Sequence, residues 1–209
     1  MKEIELISFD AEGTLVTHDF STALWHEAIP ALYAQRTGLD LARARESVFE
    51  EYDSVGEHRM EWYDIQYWFN RLDLGSTDQV IPECVSRIRY YPEVMQVLRS
   101  LGKRYRLIVA SCTPQEFLRL LLHEIEPHFV QVFSSVSDYR RLKNPDFYLS
   151  ICEELGVQPG QAVHVGDNWQ LDFLNSREAG LHALYLDRSS SSDNESIADL
   201  TQLETFLAR

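Results

Sequence analysis

Lysine is nearly missing from this chain: Lys2, Lys103 and Lys143 are all it has. Basic residues number 19 against 33 acidic ones, for a net charge of -14. A surface this negative repels nucleic acid and anionic membranes, so neither is expected as a partner. Cysteine is sparse as well, with Cys84, Cys112 and Cys152 far apart and no Cys-x-x-Cys. An odd, scattered set argues against a disulfide framework or a zinc knuckle and fits a reducing compartment. No stretch approaches the ~20 apolar residues that span a bilayer. The opening Met1-Lys2-Glu3 runs straight into a strand without a signal-peptide apolar region, so the expected location is cytoplasmic. No internal repeat is visible. The 209 residues, 44% of them hydrophobic, suit one compact domain or one domain with a small insertion.

Two kinds of pattern alternate along the chain. Ile4 to Phe9 reads as a strand. From Thr17 to Tyr90 apolar residues fall at helical spacing (Leu24, Ala28, Ala31, Leu32; Val48, Tyr52; Trp62, Ile65, Trp68, Phe69). This block predicts four or five helices, broken near Gly38, Gly56 and Gly75. After Pro92 a strand–helix rhythm returns. Helices are expected over 93–101, from a Thr113-Pro114-Gln115-Glu116 capping box to about Glu124, from an Asn144-Pro145 cap to before Gly156, and over 171–179. Strands are expected over 105–110, 130–134, 161–165 and 182–186. Ser189 to Ser192 is a low-complexity run, read as an exposed loop, and a short C-terminal helix follows. Alternating strands and helices imply an α/β fold: a Rossmann-like, mostly parallel sheet with helices on both faces. Residues 1–16 and 91–209 form this core, and 17–90 form an inserted helical domain that leaves the sheet just after the first strand.

The chemistry gathers at strand ends. Phe9-Asp10-Ala11-Glu12-Gly13-Thr14-Leu15 puts one carboxylate at the end of strand one, another two residues on, and a glycine where the chain must turn. Asp10 is a candidate nucleophile and Glu12 a candidate proton donor, at the edge where open α/β sheets bind ligands. The next strand runs into Ser111-Cys112-Thr113 ahead of a helix start, where a hydroxyl and free N–H groups suit an anion. Thr113 is expected to cap that helix; Ser111 stands too early to do so. A later strand ends in Gly166-Asp167, with Asp172 beyond it. Asp167 alone would serve as a helix cap. Two acids at two strand ends, however, repel by about 4 kcal/mol at 4 Å and an effective dielectric of 20. Magnesium reverses that sign and suits one or two carboxylates plus phosphate oxygens. Lys2 and Lys103 read as solvated. Lys143 precedes a helix start between the Ser111 and Asp167 strands, placed to bind phosphate and hold a carboxylate ionised.

Together these segments resemble the haloacid dehalogenase superfamily, in its phosphatase branch with an alpha-helical type 1 cap. The resemblance covers essentially the whole chain: Asp10 to Leu15 as first motif, Ser111 as second, Lys143 as third, and Gly166-Asp167 with Asp172 as fourth. It implies that Asp10 attacks phosphorus to form an aspartyl-phosphate. Glu12 would protonate the leaving alkoxide and then activate water. Magnesium would be held by Asp10, the Glu12 carbonyl and Asp167. Ser111, the adjacent Cys112 and Lys143 would bind the phosphoryl group. Gly13 and Asp172 would support the site, Asp172 by orienting Lys143 or a metal-bound water.

Two positions depart from the family pattern. Most phosphatases of the superfamily carry Asp where this chain has Glu12, whose extra methylene moves the carboxyl by about 1.5 Å; glutamate there is similar to the enolase-phosphatase branch. The third motif usually reads Lys-Pro, whereas here Lys143-Asn144-Pro145 is shifted by one, leaving Arg141 as a rival. Dehalogenases lack an acid at the Glu12 position, and phosphonatases need a cap lysine, which residues 17–90 do not contain. The implied activity is magnesium-dependent hydrolysis of a small phosphorylated metabolite by a monomer or homodimer. A phosphosugar mutase and a non-catalytic phosphate-binding homologue are the alternatives. His26, Arg36, His58, Arg59, Trp62 and Tyr63 are the cap residues with chemistry to offer a substrate, although packing or surface roles suit each of them as well, and the aromatic run from Trp62 to Phe69 reads as cap core.

Overall fold

A computed structural model describes residues 3–189 and 195–207, so Lys2 and Ser190 to Ser192 of the serine run lie outside the described residues. The chain forms two compact units: Met1–Val16 with Tyr90–Arg209, and Thr17–Arg89.

The first unit is built on a six-stranded parallel sheet. Its strands are β1 (Leu6–Phe9), β2 (Arg106–Ser111), β3 (Gln131–Ser134), β4 (Ala162–Gly166), β5 (His182–Leu186) and β6 (Ser196–Ile197), in the order β3-β2-β1-β4-β5-β6. β1 and β4 are buried along their whole length, as parallel strands covered on both faces must be, and so their residues are mostly apolar. The order places β1 in the centre. Strands two and three extend to one side and the later three to the other, so the chain reverses direction beside β1, where such sheets open a crevice at their C-terminal ends. Register fixes which residues meet there. Phe9 lies opposite Val109 on one side and Val165 on the other, so Asp10, Ala110 and Gly166 form the next row. The Asp10 N–H donates to the Val165 carbonyl at 2.9 Å and carries the pairing one residue further.

The helix Pro145–Leu155 buries Phe147, Tyr148, Ile151 and Cys152 against Leu6, Ile108, Ala110 and Phe133 of the sheet. Asn144 caps it by accepting the Phe147 N–H at 3.0 Å, and Pro145 takes the position that needs no donor.

Two helix starts differ from expectation. The helix after β2 spans Gln115–Leu121, begins one residue past Pro114, and receives no side-chain cap from Thr113. The Thr113 hydroxyl is instead paired with Ser111 at 3.2 Å, and the orphan Gln115 N–H goes to Ser137 Oγ at 3.0 Å. After β4 the helical path starts at Trp169 rather than Leu171, in wide π-type turns over Trp169–Leu174. Asn168 starts it by accepting the Leu171 N–H at 2.8 Å. The short strand β6 gave no alternation in the sequence; with two residues it is too brief to show a period.

The second unit is helical. Its helices Ile29–Thr37, Leu41–Val55, Ile65–Arg71 and Val80–Val85 follow a π-type segment, Thr22–Ala28. Tyr52 is at the centre of its core, in contact with the rings of Trp25, Phe49, Trp62 and Trp68. No helix among the described residues is long and apolar enough to cross a membrane.

Candidate active site

Three aspartates of the first unit, Asp10, Asp167 and Asp172, each place a carboxylate oxygen within 4.8 Å of the other two. They come from the two central strands: Asp10 follows β1, Asp167 follows β4, and Asp172 lies one helical turn further on. Two glycines make the approach possible. Gly13 turns the chain at φ 78°, and a Cβ there would overlap the Asp167 carboxylate. A Cβ at Gly166 would overlap the Asp172 carboxylate in the same way.

Lys143 enters this acidic cluster with its side chain 3% exposed. Its Nζ donates to Asp10 Oδ1 at 2.6 Å and to Asp172 Oδ1. The one-residue shift of the third motif therefore does not keep Lys143 away, because Asn144 rather than Lys143 turns the chain into its helix. Arg141 stays at the surface, 3.9 Å from Asp146.

Asp172 is fully engaged. Oδ1 accepts from Lys143 and from His164 Nε2 at 3.1 Å, and Oδ2 accepts the Asn168 N–H at 2.9 Å. Burial works to raise its pKa, but Lys143 and His164 outweigh burial and hold it well below the ordinary carboxylate range. His164 is itself buried and neutral, its pKa lowered chiefly by desolvation. Since a carboxylate only accepts, the neutral ring carries its proton on Nε2, and Nδ1 accepts the Ser8 hydroxyl at 2.8 Å. Ser8, His164, Asp172, Lys143 and Asp10 form one continuous buried chain.

Asp10 is the opposite case. Burial, with Asp172 and Asp167 adding to it, pushes its pKa up to about 7 against the pull of Lys143. With Asp10 ionised, three carboxylates near one ammonium leave two negative charges uncompensated. That deficit fits a divalent cation. With Asp172 saturated by donors, Asp10 and Asp167 are the side chains suited to hold one.

Glu12 lies half-buried in the loop that follows Asp10. Ser111 ends β2 beside this loop, is 2% exposed, and accepts the Thr113 N–H at 3.2 Å while donating to the Thr113 hydroxyl. The Cys112 side chain turns inward, where Ser135 donates to its sulfur at 3.4 Å, so only its backbone is left to face an anion. Burial raises this thiol's pKa, with Lys143 opposing, and it remains protonated.

In the helical unit, Arg36 pairs with Asp73 at 2.8 Å and Arg59 with Glu61 at 2.5 Å, both at the surface. His26 meets the edge of Phe49, and Trp62 packs on Tyr52 and Trp68.

Ser8 and His164 escaped the sequence reading, although both left a signal there. Each is a polar residue inside an otherwise apolar strand, and buried polar side chains must have partners. Arg188, which holds the Gly13–Thr14 backbone, left none, because it lies far along the chain after β5.

The chain is similar in sequence and fold to proteins already known. A model of the haloacid dehalogenase-like hydrolases matches residues 4–180. A glyceraldehyde 3-phosphate phosphatase of Methanopyrus kandleri is 22% identical over 92% of this chain and 88% of that protein. A HAD phosphatase from Thermococcus onnurineus shares the fold at a TM-score of 0.86, with 24% identity over 98% of each chain. A 2-haloacid dehalogenase from Pseudomonas syringae pv. tomato shares it at 0.71, with 23% identity over 99% of each. On a match that spans most of its length, the chain belongs to the haloacid dehalogenase-like hydrolases.

Proposed function

We propose that this hydrolase is a magnesium-dependent phosphatase of small phosphomonoesters that works through an aspartyl-phosphate on Asp10. The observation that carries the reading is the acidic cluster around one buried lysine. A displacement at carbon has no anionic centre to hold, and a third carboxylate such as Asp167 beside the nucleophile would disfavour its ionised form. Phosphoryl transfer instead calls for positive charge around a crowded anionic centre.

Asp10 and Asp167, with the Glu12 carbonyl, would hold the cation, which when bound offsets charge on the phosphoryl oxygens. Asp10 attacks phosphorus, and the ester oxygen leaves with a proton from the Glu12 carboxyl. Glu12, now ionised, takes a proton from water as that water attacks the phosphorus. The bond to Asp10 breaks and inorganic phosphate is released. Lys143 offsets the charge on Asp10 and would contact the transferring phosphoryl group from the same position. His164 and Ser8 keep Asp172, and through it Lys143, in place. Ser111 and the N–H groups that follow it contact the remaining phosphoryl oxygens. In this reading the helical unit Thr17–Arg89 takes the role of the type 1 cap.

The names of relatives make three-carbon phosphates, glyceraldehyde 3-phosphate first, the substrates to try. The test is phosphate release from p-nitrophenyl phosphate and from a panel of phosphorylated metabolites, with magnesium and with EDTA. Release that EDTA abolishes and magnesium restores is the expected result. No metal-dependent release from any ester would overturn the reading in favour of a non-catalytic homologue; turnover only with a bisphosphate activator and no net release would favour a mutase.

A further inference from the structure

The loop from Asp10 to Val16 is a short path with many backbone groups to satisfy, and an arginine from far along the chain satisfies two of them. Arg188, just after β5, donates from Nε to the Gly13 carbonyl at 3.2 Å and from one terminal nitrogen to the Thr14 carbonyl at 2.8 Å. Its other terminal nitrogen meets Glu93 Oε1 at 2.8 Å. The guanidinium also lies over the ring of Tyr91, 3.4 Å from its centroid. Arg188 and Glu93 are both mostly buried, with side chains 22% and 13% exposed. Within the loop, Gly13 N–H donates to Val16, Leu15 and Val16 N–H both donate to Ala11, and the Leu15 carbonyl accepts from Tyr91 N–H. Only a planar fork with donors on both edges holds two successive carbonyls and a carboxylate at once while stacking on an aromatic face; a lysine does not.

We propose that Arg188 is a positioning residue: it clamps the Gly13–Thr14 turn and so fixes Glu12, next to that turn, for proton transfer. The proposal rests on the phosphatase reading. Arg188 touches no reacting atom; it acts through the backbone of the loop that carries the acid.

The test uses the full chain with Arg188→Lys and Arg188→Met, read in two ways. First, kcat/KM for phosphoryl transfer is compared between an alkyl phosphomonoester found active in the panel and p-nitrophenyl phosphate. The alkoxide needs the proton from Glu12, whereas the nitrophenolate leaves without one. Both variants should lose about tenfold or more on the alkyl ester and less than about threefold on p-nitrophenyl phosphate. Second, amide hydrogen exchange at Gly13, Leu15 and Val16 should quicken by about tenfold while β1 and β4 keep their protection. Equal losses on both esters, or exchange in the loop that does not change, would overturn the proposal. A wild-type protein inactive on every ester would fail the phosphatase reading and the catalytic role of Arg188 with it. That failure is separable, because the exchange experiment needs no turnover. Should Arg188→Met not fold, Arg188→Lys carries both measurements, since it keeps the charge and the aliphatic stem.

Discussion

Replacing Asp10 by Asn should stabilise the metal-free protein relative to wild type by an amount that grows with pH. The cause is the price of ionising Asp10. In the fold its carboxyl titrates at about 7 against an ordinary 3.8, because burial and two neighbouring aspartates outweigh Lys143. Between those values the folded protein keeps a proton that the unfolded chain has lost. Unfolding then releases a proton, so wild-type stability falls as pH rises through this window and levels off above about 7. The slope is about 1.4 kcal/mol per pH unit, and the whole window amounts to about 4 kcal/mol. Asparagine has no such proton, so the variant lacks this loss. Urea denaturation of both proteins, run in EDTA from about pH 5 to about pH 8, measures the difference directly. It should climb by about 3 kcal/mol over that range. Magnesium should flatten the wild-type slope, since a cation bound to the ionised form favours it, and should leave the variant nearly unaffected. A difference that stays flat or shrinks with pH in EDTA would mean that Lys143 already holds Asp10 ionised without a metal. The charge argument for the cation would then fail.

Two further substitutions probe the same cluster. Gly13→Ala forces a side chain into the space of the Asp167 carboxylate at a positive φ. It should cost about 1–3 kcal/mol in thermal or urea melts and weaken magnesium binding by calorimetry, by moving Asp167 away from Asp10. Lys143→Met leaves Asp10 and Asp172 buried without their shared cation. A loss of about 3–5 kcal/mol is expected at neutral pH, with added magnesium recovering part of it but no phosphate release.

The fold was legible in the sequence because its cause is local and repeated. Fully buried parallel strands must be nearly all apolar, and each returns after a helix, so the alternation along 91–186 carried the architecture. The motif residues were legible because strand ends in such a sheet converge by topology alone, which is why Asp10 and Asp167 could be paired across more than a hundred and fifty positions. The shifted Lys143 was harder. Its motif is shifted by one residue, which left Arg141 as a rival, and only the turn at Asn144 showed that the extra residue is absorbed before the helix begins.

What the sequence determined by itself was which chemical groups are present and the order in which the sheet delivers them. Tertiary structure decided what those groups become. Asp10 and Asp172 are the same residue type within one cluster, yet burial drives one up toward neutrality while Lys143, His164 and a backbone N–H hold the other ionised. Desolvation and charge contacts depend on distances between residues far apart in the chain, as do the bonds of Arg188 to a turn 174 and 175 residues away. No pattern along a sequence records such distances, because they exist only once the strands have paired.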